Sequence, residues 1–335
     1  MNKYIAVTLG DINGIGIEIY LNILKKNKNN NFILFTNYKL ISKYLKRNNN
    51  NLKINTVNIL IEKIYFKKKY LNIFNFDATT PEENTFKSLK ISYLTAKRFQ
   101  FKGIVTLPLR KDLIIQNVYS KFIGQTEYYQ KLDKKNISNM ILYHKKIIVC
   151  PLTTHQSIKS ISKIVSKKNY IYDKILSLYN TLKYDFNIKK PKILISGLNP
   201  HAGENGNIGQ EEINIIEPSI KKIKKKNISI TGPISADSML IEKNLNLYDC
   251  FVFMYHDQAL IPFKYISRFS GVNFTGNLDV IRVSPDHGTA YNLKNSKNVS
   301  DKSILNCFNL INQISINRKF NDKRKNKKIL KSKFY

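Results

Sequence analysis

Five histidines are spread over 335 residues, and three of them share one context. His155 follows Lys146-Ile-Ile-Val-Cys-Pro-Leu-Thr-Thr. His201 follows Ile193-Leu-Ile-Ser-Gly-Leu-Asn-Pro, and His256 follows Cys250-Phe-Val-Phe-Met-Tyr. Each lies at or just past the C-terminal end of an apolar, strand-like segment, the edge at which open α/β sheets bind ligands. Three imidazoles converging there suit one divalent metal that keeps positions open for substrate. A single one of them would read as an ordinary hydrogen-bonded or capping ring. Carboxylates stand close by in the chain, Asp257 directly after His256 and Asp237 in Gly232-Pro-Ile-Ser-Ala-Asp. Lys264, Asn273 and Arg282 form a polar series through the following segment, a set of cation and amide donors suited to a phosphate or a carboxylate.

Glycine is scarce, with 13 in the chain, and falls in clusters. Gly10-Asp-Ile-Asn-Gly-Ile-Gly follows the first apolar segment and opens a helix-like one, yet its spacing is not that of the dinucleotide fingerprint, and no P-loop is present. Asp286-His287-Gly288-Thr289-Ala290 also follows an apolar segment, where glycine permits close approach of a nucleotide.

The elements that must position these residues alternate. Strand-like runs are expected at 4–9, 32–36, 103–107, 146–152, 192–197, 250–256 and 279–283. Helix-like stretches are expected at 14–26, 84–99, 156–166, 210–225 and 301–316. Near-continuous apolar strands separated by helices predict parallel sheets covered on both faces. The polar runs 27–31 and 48–51 read as loops, and the basic tail after Arg318 is expected to fray. The length suits two domains. No apolar run reaches 18 residues, so no membrane span is expected. Cys150, Cys250 and Cys307 are three, widely spaced and without a CxxC pair. Together with an N-terminus that lacks a secretion signal, they predict a reducing cytoplasm.

The net charge of +33 comes from 49 Lys and 7 Arg against 23 acids, alongside 41 Asn. Enrichment in Lys, Asn and Ile together is what AT-rich codons produce, whereas a nucleic-acid surface favours arginine. The tail from Arg318 carries only +8 of the total, and the rest is spread along the chain. Neither nucleic acid nor membrane is therefore expected as a partner.

The segments Thr8-Leu-Gly-Asp-Ile-Asn-Gly-Ile-Gly, Gly124-Gln-Thr-Glu-Tyr-Tyr, Thr153-Thr-His, Gly197-Leu-Asn-Pro-His-Ala-Gly-Glu, Met254-Tyr-His-Asp-Gln and Ser284-Pro-Asp-His-Gly-Thr-Ala occur in this order. Together they resemble the 4-hydroxythreonine-4-phosphate dehydrogenase family of pyridoxal-phosphate biosynthesis, over roughly 1–315. The resemblance implies two α/β/α domains with a cleft between them, similar to the isocitrate and isopropylmalate dehydrogenases. They would be 1–115 with 270–335 on the cofactor side, and 116–269 on the metal and dimer side. It implies a homodimer with shared active sites, NAD or NADP as cofactor, and one divalent metal per site (zinc, magnesium or cobalt).

By matching positions, His155, His201 and His256 become the metal ligands, His256 coming from the partner subunit. Gln125, Thr126, Lys264, Asn273 and Arg282 become substrate-binding residues, and Asp286, His287, Gly288 and Thr289 the cofactor loop. Asp257, Asp237 and Lys264 are the candidates for proton transfer. The implied reaction oxidises the phosphorylated hydroxy amino acid to a β-keto acid, which loses CO2 to give 3-amino-2-oxopropyl phosphate. A paralogue acting on another phosphorylated four-carbon hydroxy acid, or a basic nucleic-acid-associated protein, are the other readings. The chain departs from the family pattern at Gln125, where the family has histidine. It also departs at Leu9 and Ile12, where the family has proline, and in Thr106-Leu-Pro-Leu-Arg-Lys111, which lacks a glycine.

Overall fold

The structure is a computed structural model that describes residues 3–26, 31–58, 66–293 and 300–332, with side chains described as far as Arg324. Contacts divide the chain into two compact units, one of 1–134 with 278–312, the other of 135–277 with 313–335. Relative to the division expected at 115/116 and 269/270, residues 116–134 lie with the first unit, and 270–277 and 313–335 with the second. The helix Gln125–Leu132 packs against the helix Pro81–Arg98, which keeps this segment with the first unit.

Among the described residues the first unit holds six strands: β1 (Ile5–Thr8), β2 (Phe32–Phe35), β3 (Ile54–Thr56), β4 (Leu71–Phe74), β5 (Gly103–Thr106) and β12 (Arg282–Pro285). Their order is β3-β4-β2-β1-β5-β12, and every neighbouring pair is parallel. β1 and β5 are buried throughout, which is why they read as unbroken apolar runs. The helix Pro81–Arg98 starts where Thr80 accepts from Glu83 N at 3.1 Å and Glu83 in turn accepts from Thr79 N at 2.7 Å, with proline in its first turn. It buries Leu89, Tyr93 and Ala96 against this sheet.

The second unit holds β6 (Asn139–His144), β7 (Ile147–Pro151), β8 (Lys192–Ser196), β9 (Ser229–Ile234), β10 (Cys250–Phe253) and β11 (Val272–Gly276), in the order β11-β6-β7-β10-β8-β9. The four strands β7, β10, β8 and β9 are parallel, whereas β6 runs antiparallel to both β7 and β11. The expectation of purely parallel sheets is corrected here. A tight turn at Lys145, with φ of 56°, returns β6 directly into β7, leaving no room for the crossover helix a parallel pair needs.

Two further expectations are corrected. The strand expected over 279–283 is β12, which starts only at Arg282, because Asp279 N is held ahead of it by Asp133 Oδ2 at 2.6 Å. The tail does not fray at Arg318. The last helix runs Lys302–Ser332, and Arg318 is buried, donating from Nε to Asp185 Oδ1 at 2.6 Å. Tyr184 adds a hydrogen bond of 2.6 Å to Asp322. The loop expected at 48–51 follows the helix Tyr38–Arg47; of the loop expected at 27–31, residues 27–30 lie outside the described residues. No helix among the described residues is long and apolar enough to cross a membrane.

Candidate active site

β7, β10 and β8 are consecutive parallel neighbours, so the residues past their C-terminal ends share one edge of the second unit. His155 lies past β7, His256 opens the helix His256–Ser267 after β10, and His201 lies in the turn Pro200–Gly206 after β8. Their strand ends are laced together. Thr153 donates from N and Oγ1 to Met254 O at 3.2 and 2.8 Å. Gln258 accepts from Met254 N at 2.9 Å and Ser196 Oγ at 3.2 Å, and donates to Gly197 O at 3.1 Å. The His155 and His256 rings lie 5.9 Å apart, and His256 Nδ1 is 2.7 Å from Asp257 Oδ1.

His201 is held differently. Residues His201 to Asn205 all have positive φ, between 44° and 80°, forming one left-handed turn. Such a conformation costs roughly 1–2 kcal/mol per non-glycine residue and persists only where surroundings enforce it. The enforcing group is Glu212, buried in a wide helical turn (Glu212–Ile216). Its Oε1 accepts from Leu198 N at 2.7 Å and Asn199 N at 2.9 Å, and its Oε2 from Asn199 Nδ2 at 2.9 Å. Gly203 is required at this point, since a Cβ there would sit 2.5 Å from Glu212 Oε2 in a backbone of φ +80°. Glu212 and Gln258 were not singled out by sequence reasoning. The signal for Glu212 was an acidic residue at a position that the helical pattern of 210–225 turns inward.

Among the described residues, no group of three His, Cys, Asp or Glu is close enough to hold a metal. One chain thus brings together His155, His256 and Asp257, with His201 on the neighbouring strand end. By their chemistry imidazoles would suit a divalent ion, and with Asp257 on Nδ1 it is Nε2 of His256 that would face one. Asp237 is exposed on the short turn Ala236–Ser238 after β9, which packs against the His201 turn. Lys264 lies two turns along the His256 helix, its Nζ 5.6 Å from the Phe269 ring centroid. Asn273, on β11, has its Oδ1 buried without a hydrogen-bond partner. Such an acceptor is costly unless something donates to it.

In the first unit, Arg282 is among the most buried side chains of the protein. Its Nε and Nη2 donate to Thr106 Oγ1 at 3.0 and 2.6 Å, and its Nη1 to Thr126 Oγ1 at 3.3 Å. Nη2 also donates to Gln125 Oε1, while Gln125 Nε2 donates to Leu107 O at 3.1 Å. Burial pushes the guanidinium down to about 10, so it stays cationic at neutral pH. The guanidinium is held by the oxygens of Thr106, Thr126 and Gln125, with the Glu127 carboxylate acting on it as well, and a cation fixed in this way can serve an anion.

Asp133, at the end of the helix Gln125–Leu132, keeps this seat in shape. It accepts from Tyr93 OH, from Lys97 Nζ at 2.9 Å and from Asp279 N at 2.6 Å, three residues before Arg282. Asp133→Ala should destabilise the protein by about 3–5 kcal/mol, because it strands buried donors and half of an ion pair. The midpoint of urea unfolding measures this.

A third feature lies where the strand order of the first unit reverses, between β1 and β5, the place where open sheets bind ligands. A cavity there is lined by Asp11, Asn13, Thr85, Arg110 and Tyr291. Tyr291 OH donates to Asp11, and Arg110 pairs with Asp112. The loop 286–289 meets the segment after β1 where Ile15 N donates to Thr289 O at 3.0 Å, while Asp286 N donates to Ser303 Oγ at 3.3 Å and His287 Nδ1 lies 2.9 Å from Gly288 O. Space is open for 4 Å around the absent Cβ of Gly288, which fits the close approach of a dinucleotide.

Two α/β units with polar side chains gathered past the carboxyl ends of parallel strands define an enzyme of the open-sheet α/β class. The chain belongs to the family of the pyridoxal phosphate biosynthetic protein PdxA, whose sequence model matches residues 27–311. A protein of Sulfurihydrogenibium named 4-hydroxythreonine-4-phosphate dehydrogenase is 34% identical over 307 residues, 89% of this chain and 94% of that protein. The crystal structure of 4-hydroxythreonine-4-phosphate dehydrogenase from Klebsiella pneumoniae superimposes with a TM-score of 0.79 at 27% identity, covering 94% of this chain and 100% of that one. A D-threonate 4-phosphate dehydrogenase of Pectobacterium atrosepticum is 29% identical over 312 residues, 88% of this chain and 93% of that protein.

Proposed function

We propose that this protein oxidises the secondary hydroxyl of 4-hydroxy-L-threonine phosphate with NAD or NADP. The resulting β-keto acid loses CO2 to give 3-amino-2-oxopropyl phosphate on the way to pyridoxal 5'-phosphate. The observation that carries this is family membership over most of the chain, joined to a buried arginine whose guanidinium is held by Thr106, Thr126 and Gln125. Arg282 and Thr126 bind the phosphate, and Lys264 and Asn273 are further substrate-binding residues. Asn273 Oδ1 gains a donor only when substrate is present. His155, His201 and His256 would hold a divalent ion, which when bound lowers the pKa of the substrate hydroxyl and steadies negative charge on oxygen. Asp257, turned toward His256, orients that ring, which leaves Asp237 and Lys264 to accept the hydroxyl proton. Asp286, His287, Gly288 and Thr289, beside the cavity between β1 and β5, bind the dinucleotide.

The active form is a homodimer in the cytoplasm, with His256 supplied to the partner's site. The reading is supported by the helix that His256 opens. Its Ile261 and Tyr265 are 72% and 86% exposed on one face, with Phe269 exposed just beyond, an apolar stripe that a monomer would leave in water.

The test is dinucleotide reduction by the metal-loaded protein, with 4-hydroxy-L-threonine phosphate and D-threonate 4-phosphate offered separately. The first should be preferred by about tenfold or more in kcat/KM, with CO2 released. The reverse preference would assign the chain to the second substrate, and no reduction with either would overturn the reading.

A further inference from the structure

We infer that Gln125 is a positioning residue for Arg282, holding the guanidinium in place for the anion instead of contacting the anion itself. The inference rests on the reading of Arg282 as the phosphate-binding group. The amide of Gln125 has two ends, and each is engaged. Its Oε1 accepts from Arg282 Nη2, and its Nε2 donates to Leu107 O at 3.1 Å. The orientation is forced by chemistry, since a guanidinium only donates and a carbonyl only accepts. Leu107 directly follows β5, whose last residue, Thr106, takes Nε and Nη2 of the same guanidinium. Thr126, next to Gln125 in the first turn of the helix Gln125–Leu132, takes Nη1. Arg282 is therefore tied at once to a strand end and to a helix start, with Gln125 as the brace between them.

An amide does not titrate, so this brace keeps one donor–acceptor pattern at every pH. The titratable groups that face the guanidinium are Glu127 on the Gln125 helix, Tyr129 with its ring centroid 5.8 Å away, and Cys307 on the last helix; Lys111 in turn faces Glu127. An imidazole at position 125 would behave otherwise. Its neutral form can accept from Arg282 at one nitrogen and donate to Leu107 O with the other. Its cationic form donates at both and meets the guanidinium with like charge. Replacement by histidine therefore separates the two roles by sign. If Gln125 positions Arg282, acidification harms the variant. If Gln125 touches the phosphate, acidification adds a cation to the site and helps.

The experiment compares Gln125→His with the parent between about pH 5.5 and 8.5, which brackets the ordinary imidazole value of about 6.5. It reads KM for the phosphorylated substrate and the inhibition constant of inorganic phosphate. The ratio of variant to parent affinity should be near one at the alkaline end and fall about tenfold toward acid. A ratio that rises toward acid overturns the inference. Gln125→Asn, one methylene shorter, provides a second variant. Losing its reach to Arg282, it should weaken phosphate inhibition by about tenfold at all pH values, and unchanged inhibition would also overturn the positioning role. Arg282→Lys is run alongside. If it leaves phosphate inhibition intact, the phosphate reading fails. If it weakens inhibition while the histidine variant improves in acid, only the positioning role fails.

Discussion

Alanine at His155, His201 or His256 is expected to lower kcat/KM by about a thousandfold or more, the scale of losing several kcal/mol of charge stabilisation at a developing alkoxide. The three effects should not add, because a site lacking one ligand has little left for the next substitution to remove. Mixing separates the subunit origins. If His256 completes the partner's site, chains carrying His155→Ala and chains carrying His256→Ala form mixed dimers in which one site bears both changes and the other neither. Random exchange should then restore about a quarter of the parent activity from two inactive preparations. Within one chain the His155 and His256 rings lie 5.9 Å apart, while no three ligand-type groups gather among the described residues. Verified subunit exchange with no recovered activity would mean that both rings serve a site within their own chain. Equilibrium dialysis of zinc or cobalt against each variant checks the ligand assignment independently of turnover. Each alanine should weaken retention of the ion, and unaltered retention would remove that histidine from the set.

What could be read in the sequence was what burial writes into local pattern. β1, β2, β5, β7, β8 and β10 appear as apolar runs because neighbours cover both faces, and the histidines stood out because their types are scarce and their contexts alike. That His155, His256 and His201 belong to three adjacent strands was not legible. The neighbour order β7-β10-β8 is set by crossovers spanning tens of residues, which no local pattern encodes. β6 and β11 were missed for a related reason. Asn139–His144 and Val272–Gly276 mix polar with apolar residues, and they are held by antiparallel pairing with each other. For Glu212 the helical pattern could show only an inward position, because the backbone it braces, at Leu198 and Asn199, belongs to another element. The helix beyond Arg318 was hidden by its composition, although Asp185, far away in the chain, supplies the carboxylate that lets an arginine be buried there. The parts Thr106 and Leu107 play were not legible, because a hydroxyl and a backbone carbonyl carry no chemical signature until a donor lies against them.

Arg282→Lys is expected to lower kcat/KM for the phosphorylated substrate by about ten- to a hundredfold, the loss of one charge-assisted hydrogen bond from a buried pair. Three guanidinium nitrogens now donate to Thr106, Thr126 and Gln125, in a plane that fixes where the anion must lie. A lysine brings one nitrogen, which cannot meet these three side-chain oxygens and a phosphate oxygen together. Burial acts in the same direction. It already pushes the guanidinium down to about 10, and an ammonium starts from a lower value, so the same desolvation removes charge from lysine closer to neutral pH. The defect should therefore deepen as pH rises, because the neutral amine holds phosphate poorly, whereas the parent arginine stays charged. Binding energy taken from the phosphate also helps to hold the reacting carbon in place, so kcat should fall along with the rise in KM. The measurement that decides is the same pair of variants assayed with substrate and with its dephosphorylated analogue. A loss confined to the phosphorylated compound assigns the phosphate to Arg282. An equal loss with both would mean that the buried arginine supports the fold around Thr106 and Thr126 and does not read the phosphate.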